Sequence, residues 1–179
     1  MNTYTLKIGE ISRQLPIIPI SDKLSIASFV ILGDTELVMV SAPLLAKKIP
    51  PVDVIVTAEA KGIPFVYELS KQLEMKRYVV ARKTIKPYME QPLVSEVVSI
   101  TTQKKQQLCL DQADVDFIKG KSVAIVDDVI STGESLRGLE ELVTKAGGNV
   151  VAKAAILAEG DAAERDDIIF LEKLPLFFN

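Results

Sequence analysis

The sequence predicts one α/β domain built on a doubly wound parallel sheet. Two strand–helix–strand units support this fold, one within residues 52–81 and one within residues 122–157. The first strand is an uninterrupted, mostly β-branched run, which is typical of a strand buried on both faces of a sheet. The 179 residues suffice for one such domain and are few for two.

The first 50 residues are predicted to hold short strands followed by a helix. A helix that begins at Ser41 places Pro43 in its first turn, where proline is tolerated, and ends before Pro50. Strands are predicted at Thr3–Ile8, Ser25–Leu32 and Glu36–Val40, with a loop over Leu15–Asp22.

The two core units contain one helix each. In the first unit, Gly62 and Pro64 fall in the opening turn, and Phe65, Val66, Leu69 and Leu73 share one face. The second helix ends at Gly147-Gly148, because glycine is favoured just after a helix. The predicted bounds are Val52–Thr57, Arg77–Ala81, Ser122–Val126 and Asn149–Leu157 for the strands and Glu134–Ala146 for the second helix.

The pattern of residues from Lys83 to Asp111 is not typical of a core helix or strand. Its first part is polar and interrupted by proline, and its second part alternates as a β-hairpin does. The hairpin is predicted as Glu96–Ile100, a polar tip at Thr101–Gln106, and Gln107–Leu110. Insertions of this size in compact domains are often functional lids, so we expect a flexible loop here.

Composition excludes several kinds of chemistry. The chain has no His, which excludes a His general base, a Ser-His-Asp triad and a His-ligated metal. Its single Cys, Cys109, excludes an intrachain disulfide and a Cys-rich zinc site, and its apolar neighbours predict a buried thiol. The net charge of −3 and the lack of a long apolar run predict neither nucleic acid nor a membrane as a partner. With no signal-peptide pattern, the expected location is a reducing cytoplasm.

The segment from Val123 to Ser135 carries the clearest chemistry. A buried strand is followed by Asp127 and Asp128, at the edge where open α/β sheets bind ligands. Directly afterwards, Ser131–Ser135 turns into a helix, whose N–H groups and dipole favour an anion. Each piece alone is consistent with a solvated strand end and an ordinary helix cap. In this order they predict a site for a sugar phosphate, with carboxylates for the diol and a cradle for the phosphate.

This segment resembles the phosphoribosyl pyrophosphate signature of the type I phosphoribosyltransferases. Thr57–Gly62 resembles the pyrophosphate loop of that family, and Ala81–Lys86 resembles the basic stretch that enters the flexible catalytic loop of adenine phosphoribosyltransferases. The resemblance runs from about Val52 to Leu157. It implies a Rossmann-like fold in a single domain over residues 1–179. That domain would comprise an N-terminal hood in residues 1–50, a core in 52–157 with a flexible loop near 83–111, and a C-terminal segment in 158–179.

The resemblance also implies a role for each matching residue. Asp127 and Asp128 would hold the ribose hydroxyls directly or through Mg²⁺, and Lys61 would be the cation of the pyrophosphate loop. That loop often contains a non-proline cis peptide. The 5′-phosphate would be held by Ser131, Thr132, Gly133, Glu134 and Ser135, the pyrophosphate by Glu59, Ala60, Lys61 and Gly62, and the charge of the leaving pyrophosphate by Arg82, Lys83 and Lys86.

The implied reaction transfers the phosphoribosyl group to a nucleobase and yields a nucleoside 5′-monophosphate and pyrophosphate. Ser131 stands where hypoxanthine–guanine enzymes typically carry Asp, and the basic stretch favours adenine or another purine. The loop Glu59–Gly62 is closer to the xanthine enzymes and the purine repressors. A xanthine enzyme and a non-catalytic sensor of phosphoribosyl pyrophosphate are therefore the alternatives. The repressors carry an additional N-terminal DNA-binding domain, and no basic recognition helix is visible here.

Several residues keep two interpretations. The basic residues of the two loops are either ligands or solvated surface charges. A homodimer is expected from the resemblance, with Leu174–Phe178 either in its interface or closing the core. Ile17, Ile18, Ile20 and Leu24–Ile26 either face the base or form the core of the hood, and Glu159–Asp161 either reaches the edge of the base or is a plain polar turn. Tyr88 and Met89 either cap the base or pack the lid, and Glu96 either handles a proton or is a solvated strand residue.

Overall fold

The architecture is a central parallel sheet between two layers of helices, with a smaller antiparallel sheet built largely from the N-terminus. The computed structural model describes residues 2–98 and 105–178. Along these residues the elements are β1 (Thr3–Ile8), β2 (Ile11–Ser21), β3 (Leu24–Ala27), α1 (Thr35–Ala46), β4 (Val54–Ala58), α2 (Ile63–Gln72), β5 (Val79–Ala81), β6 (Leu93–Val98), β7 (Lys105–Leu110), α3 (Gln112–Ile118), β8 (Ser122–Ile130), α4 (Glu134–Lys145), β9 (Asn149–Glu159), a 3₁₀ helix (Gly160–Glu164), β10 (Ile169–Leu174) and β11 (Leu176–Phe178).

Within the described residues, five parallel strands form the central sheet in the order β10-β9-β8-β4-β5. Every residue of β4 is buried, because this strand has a neighbour on each side and helices over both faces. Successive residues alternate between the two faces: Ile55 packs with α1 and α2, and Val54 and Val56 pack with α4. The predicted doubly wound sheet is confirmed.

The N-terminal sheet differs from the prediction in its second strand. Its order is β1-β2-β3-β11, and residues 11–21 form the strand β2 where a loop was predicted at Leu15–Asp22. The two prolines of this segment, Pro16 and Pro19, are tolerated in the strand. Pro19 lies at a register shift in the β2–β3 pairing, the kind of irregularity where a missing N–H is least costly. The predicted strand Ser25–Leu32 stops at Ala27.

The predicted strand Glu36–Val40 is wrong, since these residues lie in helix α1. The helix begins at Thr35 instead of Ser41, so Pro43 lies inside it. Its start is set by Asp34, whose carboxylate accepts a hydrogen bond of 3.0 Å from the Leu37 N–H. Arg13 of β2 holds that same carboxylate at 2.7 Å, which connects the cap to the N-terminal sheet.

Other elements extend or add to the prediction. β8 continues to Ile130, so Asp127 and Asp128 lie within the strand and not after it. The parallel sheet also extends beyond the predicted core boundary at Leu157, because β10 joins it. Helix α3 was not predicted; it begins after Asp111, whose side chain accepts from the Gln112 N–H at 2.8 Å.

The hairpin lies against helix α4 and is formed by β6 and β7, with Leu93 opposite Leu110. A Cβ on Gly138 of α4 would lie 2.8 Å from Val97 Cγ2, so glycine allows this close approach. The first strand of the hairpin begins three residues before its predicted start at Glu96, and the second strand includes Lys105 and Gln106 of the predicted tip. The rest of that tip, and Ile100 before it, lie outside the described residues.

The apolar chain end closes the N-terminal sheet. β11 pairs with β3, and Leu174 is buried, which fits a core role for this part of Leu174–Phe178. Phe178 is 79% exposed. Over the two described stretches of the chain, none of the helices combines the length and apolar character needed to cross a membrane.

Candidate active site

Asp127 and Asp128 form the centre of the site, near the carboxyl end of β8. Asp128 is buried, and its N–H donates a 2.8 Å hydrogen bond to Asp127 Oδ1. Burial, followed by a hydrogen bond with the Asp128 side chain and the charge of Asp128, raises the pKa of the Asp127 carboxyl well above its ordinary value, although the bond from the Asp128 N–H acts in the opposite direction. The two side chains concentrate negative charge that a cation or hydroxyl donors would compensate.

The loop before α2 packs directly against this pair. A Cβ on Gly62 would lie 2.6 Å from Thr57 Oγ1 and 3.2 Å from Asp127 Oδ1, so glycine is required for the loop to come this close. The peptide bond between Glu59 and Ala60 is cis, as the family resemblance implied. The backbone of this loop is thereby set against the carboxylates of β8.

A small cavity of about 120 Å³ lies beside Asp127, at the start of α4. Gly133 has φ +80° and ends the turn that enters the helix. N–H groups in the first turn of a helix lack partners in the preceding turn, and the helix dipole adds positive potential there. The cavity walls are formed by Asp127, Val129, Ile130, Ser131, Thr132, Gly133, Ser135 and Leu136. This arrangement suits a group of phosphate size.

A larger cavity of about 610 Å³ opens on the other side of the carboxylates. This volume lies within the usual range for small-molecule sites. It brings three lysine side chains, from three separate segments, to the same space as Asp127 and Asp128. The cavity walls are formed by Leu32, Ala58, Glu59, Ala60, Lys61, Lys83, Lys105, Gln106, Gln107, Leu108, Asp127, Asp128 and Ser135. The predicted pyrophosphate loop and the predicted diol carboxylates therefore meet in one cavity.

The predicted basic residues separate into two groups in this structure. Lys83 lines the large cavity, whereas the Arg82 guanidinium donates to Glu59 at 3.1 Å and to the Tyr88 hydroxyl at 2.8 Å. The Lys83 N–H donates to Glu59 at 2.6 Å, and this bond, together with Arg82 and the charge of Lys86, lowers the pKa of the Glu59 carboxyl. Glu59 thus links the loop before α2 to the start of the predicted lid.

Cys109 fastens the basic stretch to the hairpin. Its backbone exchanges hydrogen bonds of 2.9 and 2.8 Å with Arg82, and its Sγ lies 3.3 Å from the Arg82 carbonyl oxygen. The side chain is fully buried, as predicted, and burial raises the pKa of the thiol. Glu96, on the other hairpin strand, is exposed beside Lys105, which fits the solvated-strand interpretation.

A third cavity of about 300 Å³ lies between the N-terminal sheet and the end of β8. The sequence suggested Ile26 and Glu159 as candidates here, and both line it. The sequence did not indicate that residues 27–30 line this cavity, or that Lys61 lines it as well as the large cavity, because both depend on how the sheets pack. Ile18 and Ile20 are exposed. The lining residues are Ile26, Ala27, Ser28, Phe29, Val30, Lys61, Asp128, Val129, Ser131, Glu159 and Leu174.

Comparison with known proteins identifies the family. Residues 38–174 match the family model described as the phosphoribosyl transferase domain. The chain belongs to the phosphoribosyltransferase family. It is 36% identical over 131 residues to the adenine phosphoribosyltransferase of Thermosipho africanus, covering 71% of this chain and 72% of that one.

Other phosphoribosyltransferases differ in the base that their names specify. The chain is 36% identical over 117 residues to the hypoxanthine/guanine phosphoribosyltransferase of Methanococcus voltae, covering 64% of this chain and 57% of that one. The crystal structure of the adenine phosphoribosyltransferase of Thermoanaerobacter pseudethanolicus superposes with a TM-score of 0.72 at 24% identity, covering 89% of this chain and 95% of that one. The predicted phosphoribosyltransferase fold is confirmed.

Proposed function

We propose that this protein transfers the 5-phosphoribosyl group from phosphoribosyl pyrophosphate to a purine base, with adenine favoured over other purines. The products would be the nucleoside 5′-monophosphate and pyrophosphate, as in purine salvage. The observation that carries this proposal is the junction of three cavities at Asp127 and Asp128. Asp127 lines the phosphate-sized and the large cavity, and Asp128 lines the large cavity and the one beside the N-terminal sheet.

The donor would occupy the first two cavities. Its 5′-phosphate fits the 120 Å³ cavity at the start of α4, where the N–H groups of the turn Ser131–Ser135 and the hydroxyls of Thr132 and Ser135 supply donors. The ribose would then lie over Asp127 and Asp128, whose carboxylates accept hydrogen bonds from the 2′- and 3′-hydroxyls. The pyrophosphate would extend into the large cavity, towards the backbone of Ala60–Gly62 and the amine of Lys61.

The carboxylate pair also fits a magnesium ion bound jointly with the donor. The described residues contain no cluster of three or more acidic, His or Cys side chains that would hold a metal without a substrate. Mg²⁺ commonly binds one or two carboxylates together with substrate phosphates, and Asp127 and Asp128 provide those carboxylates. The bound ion would offset charge on the pyrophosphate.

The lysines of the large cavity would stabilise the leaving group. As the bond from ribose C1 to the pyrophosphate oxygen breaks, negative charge accumulates on the pyrophosphate and C1 becomes oxocarbenium-like. A base nitrogen then forms the new bond to C1, and its proton passes to an oxygen of the departing pyrophosphate. Lys61 and Lys83 lie where that negative charge develops, and Arg82 and Lys86 stand next to them around Glu59. The hairpin wall at Lys105–Leu108 would help to exclude water.

The base would enter the 300 Å³ cavity beside the N-terminal sheet, on the Asp128 side of the ribose. Its walls are mostly apolar, which suits a planar base held by a few polar groups. Adenine is supported by the name of the Thermosipho relative and by the basic stretch Ala81–Lys86. Relatives named for hypoxanthine and guanine make a 6-oxopurine the competing acceptor.

We also propose a cytoplasmic homodimer. Exposed apolar side chains of α1 and α2 line a 260 Å³ groove, where Met39 is 59% and Tyr67 56% exposed. If this face forms the dimer, light scattering after size exclusion will give twice 19.6 kDa for the wild type and a monomer for Met39→Asp. A wild-type monomer would contradict this proposal.

The activity is tested by mixing the protein, Mg²⁺ and phosphoribosyl pyrophosphate with adenine, hypoxanthine, guanine, xanthine, uracil or orotate, and measuring pyrophosphate release. Base-dependent release that is lost in Asp128→Asn supports the proposal. Donor binding without release for any base would instead favour a non-catalytic sensor. Absence of donor binding would overturn the assignment of the site.

A further inference from the structure

The inner wall of the 300 Å³ cavity carries a hydrogen-bonded pair that connects two separate segments. The Ser131 hydroxyl donates to Glu159 Oε1 at 2.8 Å, joining the phosphate turn after β8 to the end of β9. Both residues line the cavity, and Glu159 is half-buried. Most of the surrounding wall is apolar, including Ile26, Phe29 and Leu174. A polar pair in such a wall has a strong influence on which ligand the cavity accepts.

The direction of this hydrogen bond determines what the pair offers a ligand. A carboxylate has only acceptor sites, and a serine hydroxyl has one proton. Because Ser131 donates that proton to Glu159, both side chains present lone pairs to the cavity. Asp128, also in the wall, contributes a further acceptor. Glu159 forms no salt bridge with any residue that the structure describes.

The one cation in the described wall of this cavity is Lys61, which also lines the large cavity. Its side chain is exposed, and the proposed function places its amine on the pyrophosphate. With the donor bound, Lys61 is therefore engaged on the far side of the ribose. The end of the cavity near Glu159 keeps its acceptor character.

We infer that Ser131 and Glu159 determine base specificity and select a purine whose edge carries an exocyclic amine over one that carries a carbonyl oxygen. The inference rests on the proposed function, because it assigns the base to this cavity. An amine such as that of adenine donates to Glu159 while the Ser131 bond stays intact. The oxygen of a 6-oxopurine instead faces lone pairs, unless Ser131 turns its proton away from Glu159 and leaves that carboxylate without its partner.

The size of the effect follows from unpaired polar groups. A site built to accept from a substrate N–H discriminates strongly against an analogue that lacks it, because its own buried groups remain unsatisfied. Since Glu159 is only half-buried and Ser131 is exposed, we expect adenine to be preferred over hypoxanthine by about 10- to 100-fold. Glu159→Gln has nearly the same shape and replaces one acceptor by an NH₂ donor, which can serve a carbonyl oxygen.

The test compares adenine with hypoxanthine in two assays. The first measures kcat/KM for each base with phosphoribosyl pyrophosphate and Mg²⁺. The second measures equilibrium binding of each base, by calorimetry, to the protein saturated with ribose 5-phosphate and Mg²⁺. The inference predicts that Glu159→Gln lowers the adenine-to-hypoxanthine ratio at least about tenfold in both assays. The exposed Asp166→Asn is the matched carboxylate-to-amide control and should keep the wild-type ratio.

The two assays separate the inference from the proposed function. If the wild type binds adenine preferentially but turns over neither base, and Glu159→Gln lowers that binding ratio, the proposed reaction fails and the assignment of Glu159 stands. If the wild type turns over a base and the ratio in Glu159→Gln stays within twofold of the wild type, the assignment is overturned while the reaction stands. Absence of base binding in the wild type also overturns it. Should Glu159→Gln not fold, Glu159→Asp serves instead: it keeps a carboxylate and must still prefer adenine.

Discussion

Gly62→Ala tests the contact on which the pyrophosphate loop depends. Gly62 has φ −72° and ψ −18°, a conformation that alanine adopts readily, so the backbone itself opposes nothing. The added Cβ, however, would lie 2.6 Å from Thr57 Oγ1, and ordinary contacts begin at 3.4 Å, so one of the two must move by about 0.8 Å. Thr57 is fully buried in the middle of the sheet. We therefore expect the loop to move.

Two opposing effects set the size of the change in stability. Overpacking at a rigid site costs about 1–3 kcal/mol, whereas replacing glycine at a compatible backbone conformation recovers about 0.4–1 kcal/mol by restricting the unfolded chain. The net loss in the free energy of unfolding should be about 1–2 kcal/mol. Activity should suffer more, because a displacement approaching 1 Å in a positioning loop lowers kcat/KM for the donor by about 10- to 100-fold.

The assay combines urea unfolding with kcat/KM for phosphoribosyl pyrophosphate. Gly33→Ala is the matched control: Gly33 has φ +86° and open space around its Cβ position, so alanine there costs backbone strain of about 1–2 kcal/mol without touching the loop. Thr57→Ala removes the overlapping oxygen and should restore much of the activity when combined with Gly62→Ala. The reasoning is refuted if Gly62→Ala keeps wild-type kcat/KM, or if Gly33→Ala loses as much activity as Gly62→Ala.

Three further outcomes follow from the contacts around the lid. On folding, the hydrogen bond from the Lys83 N–H lowers the pKa of the Glu59 carboxyl, so this bond stabilises the protein above the ordinary carboxyl pKa and stops doing so as pH falls through the lowered value. Chemical unfolding should therefore show Glu59→Gln to be less stable than the wild type at pH 7 by under about 1 kcal/mol, and this difference should disappear in acid. Gly138→Ala should lower kcat without the usual helix-stabilising gain, because its Cβ would meet Val97 at 2.8 Å; a variant both more stable and fully active would contradict this. Cys109 should react with a thiol reagent at a much lower rate in the native protein than in urea, since burial raises its pKa; equal rates would show that the thiol is accessible.

Much of the core could be predicted from patterns of residues that are local in sequence. Glycine and proline mark the start of α2, and glycine follows the end of α4. The strand β4 and the helices α2 and α4 have apolar residues at the spacing of one regular structure, so local preference and burial agree. The order of Asp127, Asp128 and the turn Ser131–Ser135 predicted a sugar-phosphate site for the same reason. All these residues are close in sequence, and the 120 Å³ cavity is built largely by one turn.

The errors lie where local preference and packing disagree. Glu36–Val40 is rich in apolar and β-branched residues and reads as a strand, but the cap at Asp34 and the face that packs against α2 make it helical. A loop was predicted at Leu15–Asp22, yet pairing with two neighbouring strands keeps most of this segment extended in β2. In both cases burial against distant residues outweighs a local preference of a few tenths of a kcal/mol per residue.

The sequence by itself determined the strand–helix–strand units of the core and the positions of the acidic pair and of the turn that follows it. Only the tertiary structure decided what surrounds them: Gly62 against Asp127, Arg82 bound to Glu59 across 23 positions, and Ser131 bound to Glu159 across 28. Such contacts depend on the order in which parallel strands are placed and on the register between them. A helical or strand period carries information about one element and its buried face, but not about which element lies opposite.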